Sequence, residues 1–63
     1  KEIKMYQIME YDRSTDRWIP VSASHSGLSK EQAEKAIKTL RRYAKEDGSG
    51  MVYKIRKVVI VPR

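Results

Sequence analysis

A helix whose two ends are both marked by the sequence occupies the middle of this 63-residue chain. Ser29, followed by Gln32 at the third helical position, forms a capping box, and Leu28 is placed to pack against Ala33 as a hydrophobic staple. Gly48 is the residue type that ends helices in the left-handed conformation. Apolar residues recur between these ends with the spacing of one helix face: Ala33, Ala36, Ile37, Leu40 and Ala44. The pattern predicts a helix over residues 30–46.

The segments on either side of this helix have the character of strands. Residues 3–11 and 17–23 contain strand-type runs separated by a polar turn cluster, which predicts a hairpin. Pro20 cannot donate to a strand ladder, so the second run should lie at the edge of the sheet. Residues 51–61 are rich in Val, Ile and Tyr and predict a third strand. We therefore expect an α+β fold of ββαβ order in a single domain, residues 1–63, with a three-stranded antiparallel sheet in the order 2-1-3 and the helix on one face.

Side-chain alternation predicts which face of the sheet the helix covers. We place Tyr11 opposite Arg17 in the hairpin, and a slip of one residue would exchange the hairpin's faces. The covered face then carries Ile3, Met5, Met9, Tyr11, Ile19, Val21 and Ala23, together with Tyr53 and Ile55. The open face carries Lys4, Tyr6, Ile8, Glu10, Trp18, Pro20, Lys54 and Arg56. An aromatic and apolar patch on an uncovered face indicates either partial burial beneath loops or a binding surface.

The charge balance narrows the classes of partner. The chain has 14 Lys and Arg against 8 Asp and Glu, a formal net charge of +6. Such an excess favours a polyanionic partner, either nucleic acid (DNA or RNA) or an acidic protein, although it also serves solubility. Two helix lysines have a structural role already, since Glu31 precedes Lys35 and Glu34 precedes Lys38 by four residues.

Most catalytic and metal-binding chemistry is missing from the sequence. The chain has no cysteine and only one histidine, His25, which excludes familiar zinc clusters, and the sequence shows no third group that would complete a catalytic triad with His25 and a neighbouring serine. The glycines of residues 48–50 follow a helix C-terminus, the wrong end of the helix dipole for a phosphate. No apolar run approaches the ~20 residues of a membrane span. We therefore expect a non-enzymatic cytoplasmic domain with no cofactor, no metal and no membrane partner.

Two segments carry a partial resemblance to a known family. A strand at residues 6–12 (YQIMEYD) is followed, after the hairpin, by a helix start at residues 27–34 (GLSKEQAE). This order resembles the AP2-like arm-binding domains at the N-termini of phage integrases, and the resemblance extends to Tyr43. It implies DNA binding through the open sheet face, with contacts from Lys4, Tyr6, Arg17 and Trp18. Those domains have three strands before the helix and end with it, whereas this chain has two and adds another after it. The layout is also similar to that of small uncharacterised phage ββαβ proteins, which carry no function with them.

Two functions follow as alternatives. The first is a nucleic-acid-binding module in which basic residues contact phosphates and aromatic residues stack or position the strand. Its expected contacts are Lys4, Tyr6, Arg17, Trp18, Lys54 and Arg56. The second is a protein-interaction module, a phage-type inhibitor or a homodimer, which uses the open face or the edge of strand 51–61. Its expected interface residues are apolar on both faces of that strand: Val58, Val59, Ile60 and Val61.

Overall fold

A computed structural model of the chain describes residues 2–22 and 25–62. Its elements are β1 (Ile3–Asp12), β2 (Arg17–Pro20), α1 (Lys30–Asp47) and β3 (Tyr53–Ile60). The strands form an antiparallel sheet in the order β2-β1-β3. The predicted α+β fold of ββαβ order is therefore confirmed.

The helix begins and ends as its sequence signals predict. The Ser29 hydroxyl accepts a hydrogen bond from the Gln32 backbone N–H (3.2 Å), and the Gln32 side chain accepts one from the Ser29 N–H (3.0 Å). This reciprocal pair satisfies two N–H groups that the first turn would otherwise leave without partners. Gly48 ends the helix with φ 70° and donates its N–H to Ala44. The buried side chains of α1 are Ala33, Ile37 and Ala44.

The strands are shorter than predicted at some ends. β2 ends at Pro20, although the Val21 N–H still donates to the Ile8 carbonyl at 3.0 Å, and the predicted end at Ala23 lies outside the described residues. β3 spans Tyr53–Ile60 rather than residues 51–61.

The predicted hairpin register is wrong by one residue. Tyr11 pairs with Trp18 and Asp12 pairs with Arg17, so Tyr11 does not lie opposite Arg17. The reason lies in the turn. The Asp12 carboxylate accepts hydrogen bonds from the Ser14 N–H (3.0 Å), the Ser14 hydroxyl (2.6 Å) and the Thr15 hydroxyl (3.1 Å). Asp12 therefore ends the strand as a paired residue and organises a turn one residue shorter than the sequence pattern suggested.

The corrected register exchanges the two faces of β1. Ile8 pairs with Ile55, is fully buried, and lies on the face that α1 covers. The same face carries Lys4, Tyr6, Glu10, Ile19 and Tyr53. The opposite, open face carries Ile3, Met5, Gln7, Met9, Tyr11, Trp18, Pro20, Lys54, Arg56, Val58 and Ile60. The face predictions for Trp18, Ile19 and Pro20 of β2 and for Tyr53 to Arg56 of β3 therefore stand, whereas every face prediction for β1 is reversed. Ala23 lies outside the described residues.

Candidate nucleic-acid interface

An aromatic and cationic cluster lies at the centre of the open face. The rings of Trp18 and Tyr11 meet edge to face, with centroids 5.4 Å apart and planes at 61°. The Lys54 ammonium lies 4.4 Å from the centre of the Trp18 ring. Trp18 belongs to β2 and Lys54 to β3, so their contact crosses the full width of β1. Met9 of β1 lies between them on this face and is only 5% exposed. The side chains of Trp18 and Lys54 therefore meet over Met9 at the centre of the open face.

The turn between β1 and β2 fixes one member of this cluster. The Tyr11 hydroxyl donates a hydrogen bond to the carboxylate of Asp16, a turn residue with φ 55°. That bond, and secondarily burial, raises the pKa of Tyr11 above its ordinary value of 10.0. The hydrogen bonds from Ser14 and Thr15 lower the pKa of Asp12 in the same turn. The turn therefore holds the Tyr11 ring against Trp18 through the hydrogen bond to Asp16.

Polar groups capable of contacting a nucleic-acid strand extend from the cluster along the sheet. Arg56 follows Lys54 on the open face and pairs with Gln7 of β1. A shallow pocket of about 350 Å³ is lined by Met9, Trp18, Lys54, Ile55 and Arg56. The half-buried Gln7 side chain makes no hydrogen bond to any other described residue. Its amide is the group type that reads base edges, and the neighbouring guanidinium is the group type that binds phosphate.

The open face is also free of negative charge along its strands. Among the described strand residues, none of those on this face is Asp or Glu, whereas the covered face carries Glu10 and Asp12. The carboxylate of Asp16, in the adjoining turn, is engaged by Tyr11. The positive charges of Lys54 and Arg56 are therefore not offset within the face, which favours a polyanion there.

The structure divides the predicted nucleic-acid-binding residues into two groups. Trp18, Lys54 and Arg56 lie together on the open face, as predicted. Lys4, Tyr6 and Arg17 do not join them, because all three lie on the covered face. The corrected register moves Lys4 and Tyr6 there, and Arg17 pairs with Asp12 on the same face. Tyr6 is further restricted by two backbone hydrogen bonds to Leu28, of 2.8 and 2.9 Å.

Sequence reasoning missed Tyr11 and Gln7 as members of the open face. The signal that would have placed them is the side chain of Asp12, which is followed by a serine and a threonine suited to bond it and so fixes the start of the turn. The predicted interface residues of the third strand are mostly accessible. Val58 is half-buried, while Val59, Ile60 and Val61 are 44%, 41% and 66% exposed.

The described residues contain neither a metal-binding cluster nor a membrane-spanning helix, and the comparisons with known proteins found no match. Within residues 2–22 and 25–62, no group of three or more His, Cys, Asp or Glu side chains is arranged to hold a metal ion. In the same part of the chain, no helix combines the length and apolar character that crossing a membrane requires. The chain matches no protein-family model, no curated protein and no solved structure. The resemblance to integrase arm-binding domains therefore stays a prediction.

Proposed function

We propose that this protein is a small, non-enzymatic module that binds single-stranded nucleic acid across its open sheet face. One observation carries the proposal: Trp18 is 36% exposed and contacts both Tyr11 and Lys54 on a face whose described strand residues include no carboxylate. Base stacking on such an aromatic side chain contributes about 1–3 kcal/mol per base and tolerates any base.

The residues of the face divide the binding between them. Trp18 supplies the stacking surface, and Arg56 supplies a phosphate contact beside it. Lys54 takes a second phosphate by moving off the Trp18 ring, since an exposed cation–π contact is worth only about 0.5–1 kcal/mol. Gln7 offers a single amide to base edges. Because stacking and phosphate contacts outnumber base-edge contacts, we expect weak sequence preference and strong dependence on salt.

The test uses the intrinsic fluorescence of the protein, since Trp18 is its only tryptophan. Short oligothymidine and oligouridine are titrated separately into the protein, which compares DNA with RNA. We expect quenching of the Trp18 emission, with an affinity that falls steeply between about 50 and 200 mM salt. Unchanged emission and no binding of either oligomer at the lower salt concentration would reject the proposal.

A matched pair of variants separates the open face from general basic charge. Lys54→Glu and Lys35→Glu change the net charge equally, but Lys35 lies on α1 and Lys54 on the open face. We expect Lys54→Glu to weaken binding more than Lys35→Glu. Equal losses would indicate that only net charge attracts the oligomer and that the open face is not its site.

A second candidate function, protein interaction, rests on the apolar end of the sheet. Ile3 and Ile60 pair with each other and are 51% and 41% exposed, and Val61 beyond them is 66% exposed. Because β3 is an edge strand, this end suits self-association into a homodimer. Sedimentation at micromolar concentration should then show a dimer that Val59→Lys dissociates with α1 intact. A monomer of the unmodified chain would exclude this candidate.

A further inference from the structure

Alternate residues along the outer edge of β3 present unpaired backbone N–H and C=O groups. The Tyr11 N–H donates to the Val52 carbonyl at 3.0 Å, and this bond shows which residues of β3 are hydrogen-bonded to β1. The even-numbered residues of β3 therefore bond to β1, and the odd-numbered residues direct their N–H and C=O groups outward. The outward residues are Tyr53, Ile55, Lys57 and Val59.

α1 occupies only one of these outward positions. The Arg41 guanidinium donates to the Tyr53 carbonyl at 3.3 Å. The outward backbone groups of Ile55, Lys57 and Val59 bond to no other described residue. An edge of this kind is a template for an added strand, and Arg41 blocks it only at its beginning.

The groove beside this edge is lined by three cations and one carboxylate. It has a volume of about 310 Å³ and lies between α1 and β3, with the apolar side chains of Ile37 and Ile55 at its base. The remaining lining residues are Glu34, Lys38, Arg41 and Lys54. None of these three cations forms an ion pair with a described carboxylate, since Arg42–Glu46 (3.9 Å) is the one ion pair within residues 2–22 and 25–62. A second copy of this chain would bring a net charge of +6 to the same edge, whereas an acidic segment would complement it.

We propose that this edge groove binds an extended, acidic peptide segment of another protein, added as a fourth strand beside β3. The backbone of the segment bonds to the outward groups of Ile55, Lys57 and Val59, and its carboxylates meet Lys38 and Arg41. When a carboxylate binds, Arg41 moves from the Tyr53 carbonyl to that carboxylate, and the carbonyl of Tyr53 becomes available to the added strand. The surface goes beyond the nucleic-acid site, with which it shares Lys54 and Ile55.

The probe is a capped peptide of alternating glutamate and valine, mixed with the ¹⁵N-labelled protein. Addition of a strand protects the amides of Ile55, Lys57 and Val59 from hydrogen exchange and leaves those of Arg56 and Val58, already bonded to β1, unchanged. A control peptide with alternate amides N-methylated keeps the charge but loses the donors. We expect it to bind at least about tenfold more weakly, as the loss of one or two hydrogen bonds predicts.

Two lysines of α1 provide a matched test of the charge contribution. Lys38 lines the groove and Lys35 does not, yet each follows a glutamate by four residues. We expect Lys38→Glu to weaken peptide binding about three- to tenfold and Lys35→Glu to weaken it less than about twofold.

Four results would overturn the proposal. The first is that the peptide does not bind, and the second is that the N-methylated control binds equally well without protecting the amides. The third is amide protection that rises with protein concentration alone, which assigns the edge to a second copy of the chain. The fourth is the same protection by short oligothymidine, which assigns the edge to nucleic acid. Quenching of Trp18 fluorescence by oligonucleotides reports the open face separately, so failure of one proposal does not imply failure of the other.

Discussion

The two faces of the sheet bury neighbouring residues of β1 by different means. Ile8 is fully buried beneath α1, and Met9, the next residue, is 5% exposed on the open face. Met9 is closed off by the side chains of Trp18 and Lys54, which reach towards each other from the flanking strands. A helix anchored at both ends is a permanent cover, whereas an exposed lysine on an aromatic ring is held by only about 0.5–1 kcal/mol. The covered face therefore stabilises the fold, whereas on the open face the side chains of Trp18 and Lys54 can move apart when a ligand binds.

The largest expected difference between the faces is in stability. Ile8→Ala should lower the free energy of unfolding by about 2–5 kcal/mol, because the cavity left between sheet and helix cannot collapse. A domain of this size has only about 3–5 kcal/mol of net stability, so the variant should be largely unfolded. Met9→Ala should cost less, since Trp18 and Lys54 can settle into the space. Thermal and urea unfolding measure both changes.

A milder substitution keeps this comparison usable if Ile8→Ala does not fold at all. Ile8→Val should remain folded and cost about 0.5–1.5 kcal/mol. Equal losses for Ile8→Ala and Met9→Ala in the same unfolding experiments would contradict the distinction, because the open face would then be as tightly closed as the covered one.

The second prediction concerns binding through the open face. Trp18→Ala should weaken binding of single-stranded oligonucleotides by about 1–3 kcal/mol, since it removes the stacking surface. The far-ultraviolet circular dichroism of the variant should keep its helix signal, because α1 packs on the other face. Anisotropy of a labelled oligomer measures the affinity. Unfolding of the variant would instead show that Trp18 belongs to the core.

The elements of this fold were predictable from local chemistry, and the register between two of them was not. The helix is defined by Ser29, Gln32 and Gly48 over short distances, so its bounds followed directly from the sequence. β1 has apolar residues on both faces, with Ile8 on one and Met9 on the other. Alternation therefore could not select the covered face of β1, and a single turn residue decided it.

The site was predictable where its strands alternate clearly. In β3, Tyr53 and Ile55 marked the covered side, which correctly turned Lys54 and Arg56 to the open face. Tyr11 was assigned to the wrong face because its position depended on the register. The edge groove depends on where α1 lies relative to β3, a tertiary placement that no local pattern in the sequence encodes.

The third prediction compares equal charge changes on the two faces. Lys54→Glu with Arg56→Glu should weaken oligonucleotide binding and reduce its salt dependence by about two counterions, one per residue. Arg56→Glu changes an exposed side chain and should alter stability by only about 0.5 kcal/mol, and Lys54→Glu, which also loses the contact with Trp18, should alter it by up to about 1 kcal/mol. Binding isotherms at a series of salt concentrations give the slope.

The matched control changes two exposed cations that lie on the other face. Lys4→Glu with Arg17→Glu alters the net charge by the same amount but should leave the salt dependence closer to that of the unmodified protein. Equal salt slopes for the two double variants would show that the oligonucleotide does not distinguish the two faces, which would contradict the proposed role of the open face.

The smallest expected effect compares one tyrosine on each face. The pKa of Tyr53, on the covered face, is raised mainly by burial, whereas that of Tyr11 is raised first by its hydrogen bond to Asp16. Asp16→Asn removes the acceptor carboxylate, so the pKa of Tyr11 should fall towards 10.0 while that of Tyr53 stays raised.

A raised pKa in the folded state gives stability that is complete below pH 10 and is lost as the pH rises through the folded value. The unmodified domain should therefore lose more stability in alkali than the variant does. Ring ¹³C shifts followed against pH distinguish the two tyrosines. An unchanged Tyr11 pKa in the variant would mean that burial, not the turn, perturbs it, and that the open face is closed around Tyr11 as firmly as the covered face is around Tyr53.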